Sequence, residues 1–492
     1  MATEGDIFLA TDYTANGSIY EEGAFLRLSP NGQAQWARYF QNYGPVDGEH
    51  GEIEAVGENL VTCGKKIAFT PAPVNGGFVS WIDHGGPFDW ATAPNGAFTL
   101  WGLTHSAKNE LIYAYGSTYL NGSTEPYAAT LDYQGNVIRA AHFEYPSALP
   151  IPRAFKVAEI SPKDGTIYVL GEGATTTGFM VSRFQADGTT MMWTKSYDFP
   201  GQPASNPIED LHVDAAGDVY VCGRRGSILP QTSYIAKLNA DGVLLDARRY
   251  SHSTRLQIRS IDVSGNSIMV AGAVLLQVSG VGDWRGFVAR IRKDDLSASH
   301  WTYYSQLTPG QLTNHFFDIR AAGNGEYVVG GHMFASGSTG FATVARVDAN
   351  GNGPCNPFNF YPQESAEAII EEPLSFVTVP HAGGIALNET LLRLDVNEHE
   401  CGSQKQAFAN EDVLDFDLKL SPNPATDHLR LEGTAFDNIR HLNIVDMTGR
   451  TLLQIRQDQH QNIAIGQLPA GTYFLQCTFE DGHMETRRFL KQ

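Results

Sequence analysis

Phe179-Met-Val-Ser-Arg-Phe-Gln-Ala-Asp-Gly188 decides the fold: an apolar run, two spacer residues and an Asp-Gly turn. Alternation of period two marks a half-buried strand, and Asp-Gly or Asn-Gly marks a hairpin. The same phrase returns as Phe25-Leu-Arg-Leu-Ser-Pro-Asn-Gly32, Tyr234-Ile-Ala-Lys-Leu-Asn-Ala-Asp-Gly242 and Phe341-Ala-Thr-Val-Ala-Arg-Val-Asp-Ala-Asn-Gly351. Weaker copies run from Phe78, Tyr127 and Phe287. The apolar anchor of each copy is Leu28, Ile82, Leu131, Phe184, Leu238, Ile291 and Val347, at gaps of 54, 49, 53, 54, 53 and 56 residues. A second phrase keeps the same beat, as in Leu111-Ile-Tyr-Ala-Tyr-Gly116 and Asp218-Val-Tyr-Val-Cys-Gly223. Each unit therefore reads as several short strands, repeated seven times.

Units of about 50 residues with four strands each are the signature of a propeller. The expected fold is all-β: a seven-bladed β-propeller over residues 1–401 with a repeat near 53, then a linker at 402–417 and a small C-terminal β-sandwich at 418–492. The chain opens at Asp6 in the second strand of a unit, and Phe376-Val-Thr-Val-Pro-His-Ala-Gly-Gly-Ile-Ala-Leu387 resembles the missing first strand. Residues 376–396 are thus expected to pair with the strand near Asp6–Ala10 and close the ring. The recurrent Arg27, Arg183, Lys237, Arg290 and Arg346 read as solvated or edge-facing. Trp36, Trp90, Trp193 and Trp301 read as packing between neighbouring sheets.

Composition bounds the function. In 492 residues, acidic side chains outnumber basic ones by 54 to 34, for a formal charge of −20. That argues against a nucleic-acid partner, whose phosphates need a basic face. Only 18% of residues are charged and 11% are aromatic, so a sizeable core forms. The longest apolar stretch, near Ile268–Leu276, is shorter than the ~20 residues a membrane helix needs. The opening Met1-Ala2-Thr3-Glu4-Gly5 has no signal-peptide pattern, so either the protein is cytoplasmic or the sequence is a mature or truncated form with an added Met, and the tail decides between these. Of five cysteines, Cys63, Cys222 and Cys477 read as buried small hydrophobes. Cys355 and Cys401 border the closing segment, and a disulfide between them is expected if the protein is secreted.

The tail changes pattern. Leu418-Lys-Leu-Ser-Pro-Asn-Pro-Ala-Thr-Asp427 is followed by Leu442-Asn-Ile-Val-Asp-Met-Thr-Gly-Arg450, Leu468-Pro-Ala-Gly-Thr-Tyr-Phe-Leu475 and Arg487-Arg-Phe-Leu-Lys491. The order of motifs resembles the type A C-terminal sorting domain of the type IX (Por) secretion system of Bacteroidota. The matching residues are Asn423, Pro424 and Ala425; Asp446, Gly449 and Arg450; Leu468, Pro469, Ala470, Gly471 and Tyr473; and Arg488, Phe489 and Lys491. The resemblance implies a secreted or outer-surface protein, recognised by the translocon and often cut in or near the linker by a sortase-like peptidase. The preceding repeats loosely resemble SBBP and PQQ-like propeller repeats of secreted bacterial proteins.

Propellers bind ligands at the channel mouth, where the loops entering the innermost strands converge. The candidate ligand funnel is His50, Glu52, His105, Arg153, Glu209, Asp210, Arg255, His315 and Asp318. Imidazoles and carboxylates of this kind serve metal binding or proton transfer. Yet no G-x-S-x-G, H-E-x-x-H or Walker loop is present, so no catalytic residue, cofactor or metal is assigned. The expectation is a non-catalytic binding or adhesion module for glycan or protein. The alternative is a polysaccharide hydrolase or lyase using acidic residues at the channel mouth, and a third option is a structural passenger cut from a larger adhesin.

Overall fold

The computed structural model describes residues 6–393 apart from 14–21, 41–45, 69–73, 87, 121–122, 146–153, 173–177, 201–207, 227–230, 279–280, 305–311, 324, 336–339, 354–356, 360–361 and 388–390. It also describes residues 419–492 apart from 423, 433–438, 446–450, 456–462 and 480–483. Every regular element among them is a β-strand. The chain divides into two units, Met1–Glu398 and His399–Gln492.

The first unit contains seven small antiparallel sheets, taken in chain order. The first is built from Ile7–Tyr13, Glu22–Leu28 and Ala34–Phe40. The next five each begin with an inner strand: Val46–Val56, Thr99–Ser106, Phe155–Ile160, Ile208–Val213 and Arg255–Ser264. Each of these continues as an antiparallel meander of four strands. The seventh runs Leu312–Gly323, Glu326–Ala335 and Gly340–Asp348. Inner strands of successive sheets pack on one another from the second to the seventh. The seventh meets the first at Gly330, where a Cβ would lie 3.4 Å from Leu9 Cδ2.

Burial follows the period-two pattern: apolar side chains from facing sheets fill the layers between them, as Tyr168, Leu170 and Phe179 do with Leu211, Val221 and Tyr234. The tryptophans lock neighbours as expected. Trp36 Nε1 donates to His84 O at 2.7 Å, and Trp90 Nε1 donates to Tyr133 O at 3.0 Å. Each of these acceptors lies in the hairpin of the following sheet. Gly135 (φ +81°) closes so tightly on the indole that a Cβ would sit 2.6 Å from Trp90 Cε3. Only glycine combines that left-handed turn with that approach.

The recurrent basic residues are paired, which corrects the solvated reading. Arg27 and Arg183 are buried. Arg27 meets Asp6 at 2.6 Å, Arg183 meets Asp164, Lys237 meets Asp218 at 3.1 Å and Arg346 meets Glu326 at 3.2 Å. In these five units the strand carrying the basic residue reaches back to an oxygen at the start of the strand it follows; Arg290 uses the hydroxyl of Ser267 at 2.9 Å.

The return segment does something other than close the first sheet from within. Pro357–Asn359, Gln363–Ala366, Ile370–Leu374, Val377–His381, Gly384–Leu387 and Leu391–Arg393 pair with the outermost strands of the sixth, fifth, fourth, third, second and first sheets in turn. The segment runs backward around the outside and adds one short strand to each edge. The expected pairing of 376–396 with Asp6–Ala10 is therefore replaced by pairing with Val137–Glu144, Phe88–Pro94 and Ala34–Phe40. The physical reason is that six outer edges offer unpaired N–H and C=O groups, and short strands blunt them all. Ile7–Tyr13 pairs with Glu22–Leu28, and no strand among the described residues pairs with its other edge.

The second unit has two small sheets, Lys419–Ser421 with His428–Glu432 and Ile463–Ala464, and Thr451–Ile455 with Ile439–Val445, Gly471–Phe479 and Met484–Lys491. Leu429, Leu442, Ile444, Ile463, Leu475 and Phe489 form its core. The sandwich-like pattern expected of the tail is present.

Cys63 and Cys222 are buried free thiols. The side chain of Cys477 and both proposed disulfide partners, Cys355 and Cys401, lie outside the described residues. No helix among the described residues is long and apolar enough to cross a membrane.

Candidate functional site

The inner strands share one irregularity. Register shifts fall between His50 and Ile53, Leu100 and Gly102, Phe155 and Val157, Ile208 and Asp210, Ile258 and Ser260, and Phe316 and Asp318. Six sheets thus bulge at the same level. A bulge bends its strand and re-aims the extra side chain. The extra residues are Trp101, Lys156, Glu209, Arg259 and Phe317, with Gly51 and Glu52 in the second sheet.

Those side chains meet from sheet to sheet. Lys156 Nζ lies 4.4 Å over the Trp101 ring, and Arg259 lies 4.8 Å over the Phe317 ring. Arg259 Nη1 is 3.8 Å from Glu209 Oε2, and Arg224 Nε pairs with the other oxygen of that carboxylate. Burial raises the Glu209 carboxyl while the two guanidinium groups oppose that shift.

At or just beyond the bulge, within three residues of it, carboxylates of four inner strands staple neighbouring sheets. Glu52 accepts from Leu103 N–H at 2.8 Å, Glu159 from Val213 N–H at 3.1 Å, Asp210 from Ile261 N–H at 3.0 Å and Asp262 from Ala321 N–H at 2.8 Å. Ser260 Oγ–H faces Asp210 at 2.7 Å and Asp318 at 2.8 Å. Arg320 joins the same two aspartates, each at 3.2 Å. Burial pushes Glu52 and Glu159 well above the usual carboxylate range. The surrounding carboxylates hold Arg320 firmly protonated against the opposing effect of burial.

Of the residues expected from sequence to line a funnel, the structure brings four together. Glu52, Glu209, Asp210 and Asp318 belong to this cluster, but as staples and ion-pair partners. His105 Nδ1 sits 3.1 Å from Glu54 Oε2. Arg255 stands at the start of its inner strand, where the backbone bridges Gln231. The His50 side chain and all of Arg153 lie outside the described residues. Among the described residues no group of three or more His, Cys, Asp or Glu side chains is placed to hold a metal ion.

His315 faces His332 across the seventh sheet, with ring centroids 5.3 Å apart. Trp284 lies 5.0 Å from His315, and Phe317 lies 4.5 Å from His332. Burial and the Arg259 charge hold both imidazoles down at about 4, with His332 adding to the effect on His315. Sequence reasoning found His315 but missed His332, Arg259, Phe317 and Trp284. Two register shifts lie between the Gly323–Glu326 pair and the His315–His332 pair, so plain counting would set His315 opposite Phe334 and no sequence signal carries the observed pairing.

Residues 419–492 match the family model described as the secretion system C-terminal sorting domain. The tail links the chain to the type IX translocon, and the protein is a secreted or outer-surface protein of Bacteroidota type. Within that unit Ala425 N–H donates to Leu490 O at 2.8 Å, so the opening motif sits beside the terminal strand. Tyr473 Oη–H donates to Pro469 O at 2.9 Å, bracing the Pro-Ala-Gly turn. Asn423, Asp446, Gly449 and Arg450 lie outside the described residues.

No curated protein matches the chain. Among solved structures it is similar to the polysaccharide lyase Uly1, at 10% identity and TM-score 0.41, covering 71% of this chain and 89% of that one. It is also similar to the Bombyx mori GH32 beta-fructofuranosidase BmSUC1, at 10% identity and TM-score 0.30, covering 80% and 89%. A third is the extracellular domain of a putative hybrid two-component system from B. thetaiotaomicron, at 8% identity and TM-score 0.27, covering 98% and 73%. The expectation that the repeats are more non-catalytic than catalytic is corrected: enzymes acting on carbohydrate stand among the matched structures, and that preference is withdrawn.

Proposed function

We propose that the seven sheets are the blades of a β-propeller that degrades a polysaccharide, as a secreted or surface-held hydrolase or lyase. The observation that carries this reading is the shared bulge of six inner strands. It brings aromatic faces (Trp101, Phe317) to one level with Lys156, Glu209 and Arg259, and the imidazoles of His315 and His332 stand beside Phe317. Flat aromatic faces receive the apolar faces of sugar rings, while a few fixed polar groups orient hydroxyls and move protons. On this reading the tail is the export address, and a sortase-like peptidase cuts within linker 402–417 once the chain has crossed.

The test is incubation of the purified full chain with a panel of neutral and acidic polysaccharides, measuring new reducing ends and loss of viscosity. Release of new ends is the expected result. Binding without cleavage on every polymer, or no binding at all, would overturn the reading.

A further inference from the structure

The return segment covers the outermost strands of the sixth to the first sheets, whereas no strand among the described residues pairs with the outer edge of Gly340–Asp348 in the seventh. That strand is also less well covered than its six counterparts. Val344 is half-buried, while Phe25, Val79, Ala128, Val181, Ile235 and Val288, which likewise stand three residues before the anchor, are fully buried. Two of its side-chain atoms, Thr343 Oγ1 and Arg346 Nε, are buried without a hydrogen-bond partner. We infer that this edge is a docking edge for the chain's own Val396–Glu398, so that the return segment makes one complete circuit of the seven sheets. The inference stands apart from the polysaccharide reading.

The spacing of the segment points to this occupant. Its strands begin at Pro357, Gln363, Ile370, Val377, Gly384 and Leu391, so each starts six or seven residues after the last. The links between them are two or three residues long. Each step carries the chain back by one sheet. Behind the first sheet stands the seventh, whose Gly330 lies against Leu9. A link of two residues after Arg393 brings the chain to Val396–Glu398, a stretch as long as Pro357–Asn359 and Leu391–Arg393. The circuit also starts at the seventh sheet: a Cβ on Gly353 would lie 3.1 Å from Val347 Cγ1. Cys355 stands two residues before Pro357, and Cys401 three residues after Glu398. A segment that returns to the sheet it left brings these two ends together, so the disulfide expected between them clasps the circuit. That bond forms by exchange with an oxidised protein disulfide met during export. The two thiols give up two electrons and two protons, and the donor leaves as a dithiol. A second copy is the rival occupant, because an open strand edge pairs with other chains. Charge argues against it, since each copy carries a formal −20 and the two repel.

The experiment is amide exchange on the full chain at several protein concentrations, with sedimentation and a peptide map of the unreduced protein. The amides of Gly340–Asp348 that face away from Glu326–Ala335 are expected to be protected at every concentration, and Cys355 to be joined to Cys401. Val396→Pro/Asn397→Pro removes two adjacent N–H groups, one of which faces the edge. Exchange in Gly340–Asp348 should then quicken by at least about 10-fold, with Gly178–Phe184 unchanged. Rapid exchange along the outward side of Gly340–Asp348 in the unmodified chain would overturn the inference, as would unchanged protection in the proline variant. Protection that rises with concentration alongside a dimer would give the edge to a second copy instead. If the proline variant does not fold, the map decides: Cys355 and Cys401 both recovered as free thiols would overturn the circuit. Polysaccharide cleavage, present or absent, changes none of these outcomes.

Discussion

Nδ1 of His142 lies 2.8 Å from Nε2 of His381, across 239 residues of sequence. One hydrogen joins the two rings, so one donates and the other accepts. The pair bolts the return segment to the outer strand of the third sheet. Asn95 Nδ2–H adds a bond to Ala382 O at 2.6 Å, and a Cβ on Gly96 would fall 2.7 Å from His381 Cε1. His142 Nε2 also faces Glu144 at 3.2 Å, and the Tyr127 ring packs against His381.

Replacing His381 by Ala leaves His142 Nδ1 without this partner, at a cost of about 1–3 kcal/mol. Amide exchange in Val137–Glu144 and Val377–His381 should quicken. The pair should also respond to pH. Burial, with the neighbouring His142 adding to it, holds His381 below the ordinary imidazole range. A depressed histidine stabilises the fold above the unfolded value near ~6.5 and loses that contribution as pH falls through its folded pKa. Protection of the two strands at pH 5.5 equal to that at pH 7.5 would count against this coupling.

A second prediction separates turn geometry from packing. Gly135 and Gly165 both take positive φ, but only Gly135 faces an indole; nothing lies within 4 Å of a Cβ on Gly165. Gly165→Ala should cost about 1–2 kcal/mol, the ordinary penalty of a left-handed alanine. Gly135→Ala should cost clearly more, because Trp90 must also move. Equal losses in chemical denaturation would mean that the indole gives way freely.

These contrasts mark what was legible in the sequence. The hairpin glycines and the tryptophans recur at the repeat spacing, so the sheets and their locks are readable by counting. The return segment is not readable that way. Its strands, such as Gln363–Ala366 and Ile370–Leu374, are short and largely exposed, and they pair only at one edge with strands more than 100 residues earlier. No local alternation encodes a partner so distant, and Phe376–Leu387 looked like any first strand. The candidate site failed differently: Glu52 and Asp210 are in the cluster, but their oxygens serve amides of the next sheet, a role fixed by bulges that composition does not reveal.

The two half-buried acids Glu52 and Glu159 give a third test. Burial raises Glu52 and Glu159, so their neutral forms favour the fold. That contribution is fully present below the unfolded value near ~4.3 and is lost as pH rises through the folded pKa. Gln at both positions keeps a carbonyl acceptor for Leu103 and Val213 and cannot ionise. The double variant Glu52→Gln/Glu159→Gln should therefore gain in melting temperature relative to the parent as pH is raised from 5 to 8. A constant difference across that range would show that the two carboxyls do not titrate in the folded state.

The last prediction concerns the tail. Residues 419–492 have their own core around Leu429, Leu442, Leu475 and Phe489, and Ala425 is held to the final strand through Leu490 O and Gln492 N–H. Among the described residues, the seven sheets of the first unit take no strand from it. Removing 419–492 should therefore leave the thermal unfolding of the first unit nearly unchanged while stopping export in a type IX secreting host, with the shortened protein retained in the periplasm. Fusing residues 402–492 to a signal-peptide-bearing reporter should carry that reporter to the surface. Ala425→Glu gives a finer check, because Ala425 is fully buried beside the terminal strand. An uncompensated buried charge is costly, so this single change should unfold the sorting unit and block export without altering the first unit. Cell fractionation measures each outcome. Surface delivery of the truncated protein at the parental level would show that the tail is an accessory sandwich and that the export signal lies in the first unit.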